Sequence, residues 1–96
     1  MHAVVRTYSG QGAKELFDLL GRRKGDVERL IRAVPGFQAY SLIRTADGGI
    51  SVTVCRDKAG TDESLRVARD WIQQNAGKVT TKPPAVAEGD VILQLS

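Results

Sequence analysis

Few side chains in this sequence could do chemistry. Across 96 residues there are one His, one Cys, one Trp, two Tyr and two Phe. One Cys and one His cannot close a four-ligand zinc site, a disulfide framework or an iron–sulfur site within one chain. The expectation is therefore no metal and no cofactor, and chemistry that depends on a pocket. Arg6, Tyr8, Phe17, Tyr40, Cys55 and Trp71 are the candidates to line it. An arginine can anchor an anionic group, a tyrosine can hydrogen-bond a substrate oxygen, and Phe or Trp can stack on an aromatic ligand. Each also has a plainer role. Trp71 can be core, Tyr8 and Tyr40 can pack a subunit interface, and Arg6 and Arg44 can pair with a carboxylate or reach water. Cys55 reads as a packed thiol, because a nucleophile needs a base nearby and the only imidazole, His2, sits at the other end of the chain. Next to the N-terminus, His2 itself reads as solvated. Ser9-Gly10-Gln11-Gly12 has two of the glycines of a phosphate-cradling turn but lacks its full spacing.

These residues need a frame, and composition bounds it. Hydrophobic residues at 42% and charged residues at 26% describe an ordinary globular domain, and the length allows one core, so residues 1–96 read as a single domain. The net charge of +3 arises in the first half, where the one basic cluster is Arg22-Arg23-Lys24. It is flanked by Asp18, Asp26 and Glu28 and has no interleaved aromatics, so it reads as a solvated helix face, and nucleic acid is not an expected partner. Arg6 interrupts the opening apolar residues too early for a signal peptide or membrane span, so the expected location is cytoplasmic, with Cys55 reduced.

Hydrophobic spacing supplies the elements. Residues 2 to 8 are β-prone and end at Ser9-Gly10, a first strand. From about Gln11 to Val34, Ala13, Leu16, Leu20, Val27 and Ile31 share one helical face, with Gly21 and Gly25 inviting a bend or break near Arg22 to Gly25. Phe37 to Thr45 and Ile50 to Arg56 form a hairpin, with Asp47-Gly48 as the expected turn centre. That register places Phe37, Ala39, Ile43, Ile50, Val52 and Val54 on one face, expected to be core. Tyr40, Leu42, Arg44, Thr53 and Cys55 fall on the other. A second helix runs from Thr61, or a turn earlier if Asp57 caps it, to about Ala76, with Leu65, Ala68, Ile72 and either Val67 or Trp71 inward. Lys78 to Gly89 reads as a loop, and Asp90 to Leu95 as the last strand.

The order β-α-β-β-α-β is the ferredoxin-like arrangement, an α+β fold with a four-stranded antiparallel sheet and two helices on one face. The other face is expected to carry Val4, Arg6 or Tyr8 with Tyr40, Leu42 and Cys55. That patch is too apolar for solvent, and a second copy would cover it, giving a homodimer through the open sheet face.

The opening Val4-Val5-Arg6, the helix ending in Val34-Pro35-Gly36-Phe37, Tyr40-Ser41-Leu42-Ile43-Arg44, Asp47-Gly48-Gly49 and the Val-rich strand leading to Asp57, Glu63-Ser64 and Trp71 together resemble the dimeric α/β-barrel superfamily. The likeness is strongest to small antibiotic-biosynthesis-monooxygenase-like proteins. It implies a homodimer whose sheets meet to form a barrel, and for some members a cofactor-independent monooxygenase acting on a small aromatic or quinol-type molecule. There the deprotonated substrate itself reduces oxygen, and the protein supplies desolvation, orientation and a proton acceptor. Other members degrade haem, but here no histidine follows the second helix to ligate iron. The enzyme reading predicts an enclosed pocket of a few hundred Å³ lined by Trp71, Phe17 or Tyr40. The competing reading is a non-catalytic small-molecule-binding or structural homodimer with a filled or merely hydrophobic cavity. An RNA-binding reading, drawn from element order alone, lacks aromatics on Ile50 to Arg56.

Overall fold

The computed structural model describes residues 1–77 and 79–95. Its elements are β1 (His2–Ser9), α1 (Ala13–Arg22), α2 (Lys24–Arg32), β2 (Phe37–Thr45), β3 (Gly48–Cys55), α3 (Lys58–Asn75) and β4 (Ala85–Asp90). The strands form one antiparallel sheet in the order β2-β3-β1-β4, the ferredoxin-like arrangement expected from the sequence. None of the described helices is long and apolar enough to cross a membrane.

The first helical stretch is two helices. Arg23, at φ −110° and ψ 26°, ends α1 and begins α2. Its N–H donates to the Leu19 carbonyl at 2.9 Å, while its own carbonyl accepts from Asp26 and Val27. Its guanidinium is held by Asp26 at 2.6 Å and lies over the Trp71 ring, 5.6 Å from the centroid, so packing on α3 fixes the break. The helix starts at Ala13 rather than Gln11 because Gly12, at φ 82°, is left-handed and cannot carry the helix back. Asp57 caps α3, its carboxylate accepting from the Gly60 N–H at 3.2 Å, which selects the earlier of the two expected starts.

The hairpin turns on Ala46-Asp47, with Thr45 opposite Gly48, rather than on Asp47-Gly48. The resulting slip is two residues, and an even slip preserves which residues share a face. Phe37 is the exception. An irregularity between Phe37 and Ala39 turns its ring to the helix side, where the Arg32 guanidinium sits 5.9 Å from its centroid.

The two faces carry the opposite roles to those expected. The helices cover the mixed face: Val4, Arg6 and Tyr8 of β1, Ser51, Thr53 and Cys55 of β3, with Tyr40 and Leu42 of β2. The apolar face is the open one. It carries Ala3 and Val5, Ile50 and Val52, and Ala39 and Ile43, the last 45% exposed, while Val54 on the same face is buried. Apolarity marks a face that is to be covered but does not say by what. Here the polar groups are enclosed within the subunit, beside the apolar core that Leu16, Phe17, Leu20, Val27 and Ile31 build from the helices.

The end of the chain also departs from expectation. β4 is Ala85–Asp90, which except for Asp90 falls in the segment expected to be loop, whose first residue, Lys78, lies outside the described residues. Pairing with β1 overrides the stronger strand propensity of Val91-Ile92-Leu93. Val91 still bonds back to Met1, but Ile92, Leu93 and Leu95 are 98%, 74% and 83% exposed.

One close contact sets the depth at which α1 docks. Gly49, fully inside, faces the Phe17 ring so closely that a Cβ there would collide with it. Gly49→Ala is expected to destabilise the fold by about 1–3 kcal/mol through overpacking. In thermal unfolding this appears as a fall of about 4–8 °C per kcal/mol.

Candidate ligand site between the sheet and the helices

Arg6 lies in the middle of β1, the strand whose two neighbours are β3 and β4, and projects toward the helices with only 5% of its surface exposed. Its Nε donates to Ser51 Oγ at 3.0 Å across the β1–β3 pair, and an Nη donates to the Tyr8 hydroxyl at 3.3 Å. No carboxylate among the described residues pairs with it. The contrast with Arg44 is informative, since Arg44 reaches Asp18 of α1 at 2.6 Å, the plain pairing expected of a sheet arginine. A buried cation held only by hydroxyls keeps part of its field uncompensated, and such a charge is costly unless an anion completes it.

Aromatic rings surround this charge. Tyr8 packs edge-on against Phe17, their centroids 5.7 Å apart at 60°, and its ring lies 6.0 Å from the Arg6 guanidinium carbon. Tyr40 approaches from β2 and Trp71 from α3. Burial pushes the Tyr40 phenol above its ordinary value of 10.0, the neighbouring Arg6 charge opposing that rise without cancelling it. Tyr40 is therefore a neutral hydrogen-bonding group at physiological pH. The Tyr8 oxygen accepts from Arg6, which leaves its own O–H to donate elsewhere.

Of the sequence-derived candidates, the fold brings Arg6, Tyr8, Phe17, Tyr40 and Trp71 around one cavity. Cys55 is not among them. It is fully buried at the far end of β3 beneath the first turn of α3, where a Cβ on Gly60 would stand 2.7 Å from its own Cβ. His2 lies directly opposite Cys55 across the β1–β3 pair, closer than sequence separation suggests, and is buried rather than solvated. Its Nδ1 is 2.8 Å from Thr61 Oγ1 and its Nε2 is 3.5 Å from Glu88. Burial, reinforced by Asp57, raises the Cys55 pKa, so it remains a packed thiol in spite of the adjacent imidazole. Ser51 is the residue that sequence reasoning missed. Its only signal is its register opposite Arg6, and hairpin spacing says nothing about β1.

The enclosed space is much smaller than the few hundred Å³ expected. The cavity between Tyr8, Phe17, Tyr40 and Trp71 measures about 20 Å³, room for one water. Larger spaces open on either side. A cleft of about 310 Å³ runs between α2 and β2 past Phe37 and Tyr40, and one of about 550 Å³ runs between α3 and β4 with Arg6 and Tyr8 among its lining residues. Both are within the range that holds a small organic ligand, and the second is the one that Arg6 lines. No imidazole reaches this region, because His2 is committed to Thr61 and Glu88, so the donor set does not match a histidine-ligated haem.

The raised Tyr40 pKa gives a pH dependence of known sign. The unfolded chain releases this proton near pH 10 and the folded chain only above it, so the stability attached to the protonated phenol is intact below that pH and is lost as pH rises through the folded value. Ultraviolet titration of tyrosinate should show a late-ionising component that Tyr40→Phe removes. A single tyrosine transition near pH 10 in both proteins would contradict it.

No family model matches the sequence, and no curated protein matches it. Solved structures do. A monooxygenase of Streptomyces coelicolor in complex with the ligand nanaomycin D superimposes with a TM-score of 0.65 at 17% identity, covering 99% of this chain and 89% of that one. The haem degrader MhuD of Mycobacterium tuberculosis, with two haems bound in its active site, gives 0.70 at 13% identity over the whole of both chains. A dimeric ferredoxin-like protein from an uncultured marine organism gives 0.65 at 13% identity, covering 99% and 95%. At these identities the likeness concerns the fold, and the fold is the ferredoxin-like one shared by antibiotic-biosynthesis-monooxygenase-like proteins and haem degraders.

Proposed function

We propose that the chain is a cofactor-independent monooxygenase-like enzyme that oxidises a small aromatic or quinol-type molecule in the cleft beside Arg6. The observation that carries this reading is the buried Arg6 guanidinium, without a carboxylate partner among the described residues, at the meeting of the aromatic cavity and the 550 Å³ cleft. A substrate phenol placed there ionises more readily, because its oxyanion supplies the missing counter-charge and can take a hydrogen bond from Tyr8. The electron-rich anion then reduces oxygen directly. A ring CH₂, whose aromatic tautomer is the phenol, becomes C=O while one atom of O₂ enters the ring and the other leaves as water, so electrons balance within the substrate. The apolar side chains of the cleft, Leu65, Ile72 and Val86, exclude water from the reacting anion. The solved monooxygenase with this fold supports the reaction class.

The test is protein-dependent oxygen uptake, above autoxidation, over a panel of naphthohydroquinones and anthrones. Arg6→Gln should lower kcat/KM about 100-fold, the scale of losing one oxyanion donor. No uptake above autoxidation with any substrate of the panel would overturn the reading, and binding without turnover would favour a non-catalytic ligand-binding protein.

The same proposal includes a homodimer formed through the open sheet face. Val5, Ile43, Ile50 and Val52 form an apolar surface that a single subunit leaves uncovered, and Ile92, Leu93 and Leu95 extend beyond β4 with no cover from their own subunit. A two-fold partner covers an identical face at once, and the dimeric ferredoxin-like protein of the same fold supports this assembly. Light scattering should give a dimer mass for the native chain and a monomer mass for Val52→Asp. A native monomer at micromolar concentration would contradict it.

A further inference from the structure

The cleft between α3 and β4 has a charge pattern that the oxygenase reading does not require. Besides Arg6, its lining includes Arg69 of α3 and Lys82 of the segment preceding β4. No Asp or Glu lines it, and neither Arg69 nor Lys82 has a carboxylate within salt-bridge distance among the described residues. This differs from the rest of α3, where Lys58 pairs with Asp62 and Arg66 with both Glu63 and Asp70. On that helix, cations outside the cleft are matched by acids one turn away, and the cation facing the cleft is not. The Lys82 ammonium group lies close to Gly10, just beyond the end of β1, and lines the cleft together with Tyr8. The remaining lining is mostly apolar, with Leu65, Ile72, Pro84 and Val86 beside the neutral polar Gln73 and Thr81.

An apolar cleft of about 550 Å³ with one buried cation inside and two exposed cations at its margin complements an amphipathic anion. We infer that the cleft binds an aromatic acid of two or three fused rings, carrying a carboxylate or sulfonate held between Arg69 and Lys82 in addition to the ring oxygen that faces Arg6. This rests on the cleft being the substrate site, and it narrows the substrate from aromatic molecules in general to those with a second negative charge. Leu65 and Ile72, one on each side of Arg69 along α3, give the ring system its apolar contact. Each exposed cation adds affinity that falls with added salt, whereas the ring contacts do not depend on salt.

Two fluorescent probes of similar shape and different charge separate these contributions. 8-Anilinonaphthalene-1-sulfonate carries the anion, and N-phenyl-1-naphthylamine is its neutral relative. With the full chain at low ionic strength, Arg69→Gln and Lys82→Gln should each weaken binding of the sulfonate by about three- to five-fold and leave the neutral probe unchanged. The double variant should lose about ten-fold, and raising the salt should bring the native protein to the level of the double variant. Both side chains are exposed, so the variants keep the fold, which circular dichroism checks. Equal sulfonate affinity in the native protein and the double variant overturns the inference, as does an equal loss for both probes. The titration uses no oxygen. Charge-dependent binding with no oxygen uptake removes the oxygenase reading and leaves the aromatic-acid site, and the opposite pair of results does the reverse.

Discussion

The buried guanidinium of Arg6 is the constraint around which the rest of this structure is arranged. It sits on the strand that pairs with both β3 and β4, and it is neutralised by no acid among the described residues, only stabilised by Ser51 and the Tyr8 hydroxyl. A cation in that position would destabilise a close-packed core. It is tolerated because the helices do not seal fully against the sheet. They leave a water-sized cavity at its centre and a cleft on each side. The break at Arg23 has the same effect: it divides one helix into two, lets α1 close on Gly49 through Phe17, and lets α2 stand over Phe37 and the α2–β2 cleft.

The division of labour between the two sheet faces follows from that charge. The face toward the helices buries Arg6, Ser51, Thr53 and His2 along with its apolar residues, and the face away from them is the more uniformly apolar of the two. A subunit that encloses polar side chains in its interior has fewer dry contacts of its own. An apolar outer face then makes association the natural source of further burial. The enclosed polar groups and the open apolar face are two consequences of one arrangement of β1, whose successive side chains point alternately to each side of the sheet.

Much of this was legible in the residues, and what was not has identifiable causes. The element order, the hairpin and the Asp57 cap could be read because turn chemistry and hydrophobic period are local. Arg6, Tyr8, Phe17, Tyr40 and Trp71 were legible as a group because their types suit a pocket. The covered face of the sheet was not, because alternation sorts residues into two sets without assigning either to the helices. β4 was misplaced for a related reason: Val91-Ile92-Leu93 has the better strand propensity, but the partner strand selects Ala85–Asp90. Ser51 was invisible because its significance is a contact across strands 45 residues apart in sequence.

The central claim is that Arg6 holds the ionised oxygen of a ligand. Nitrogen-15 magnetic resonance of the arginine side chains reads this directly, with the Arg6 Nε–H resonance assigned through its loss in Arg6→Gln. On titration with 1-hydroxy-2-naphthoate, the resonance should shift progressively, saturate, and become slower to exchange with water. An Arg6 resonance that stays in place while the same compound shifts only exposed arginines such as Arg29 and Arg56 would contradict the account.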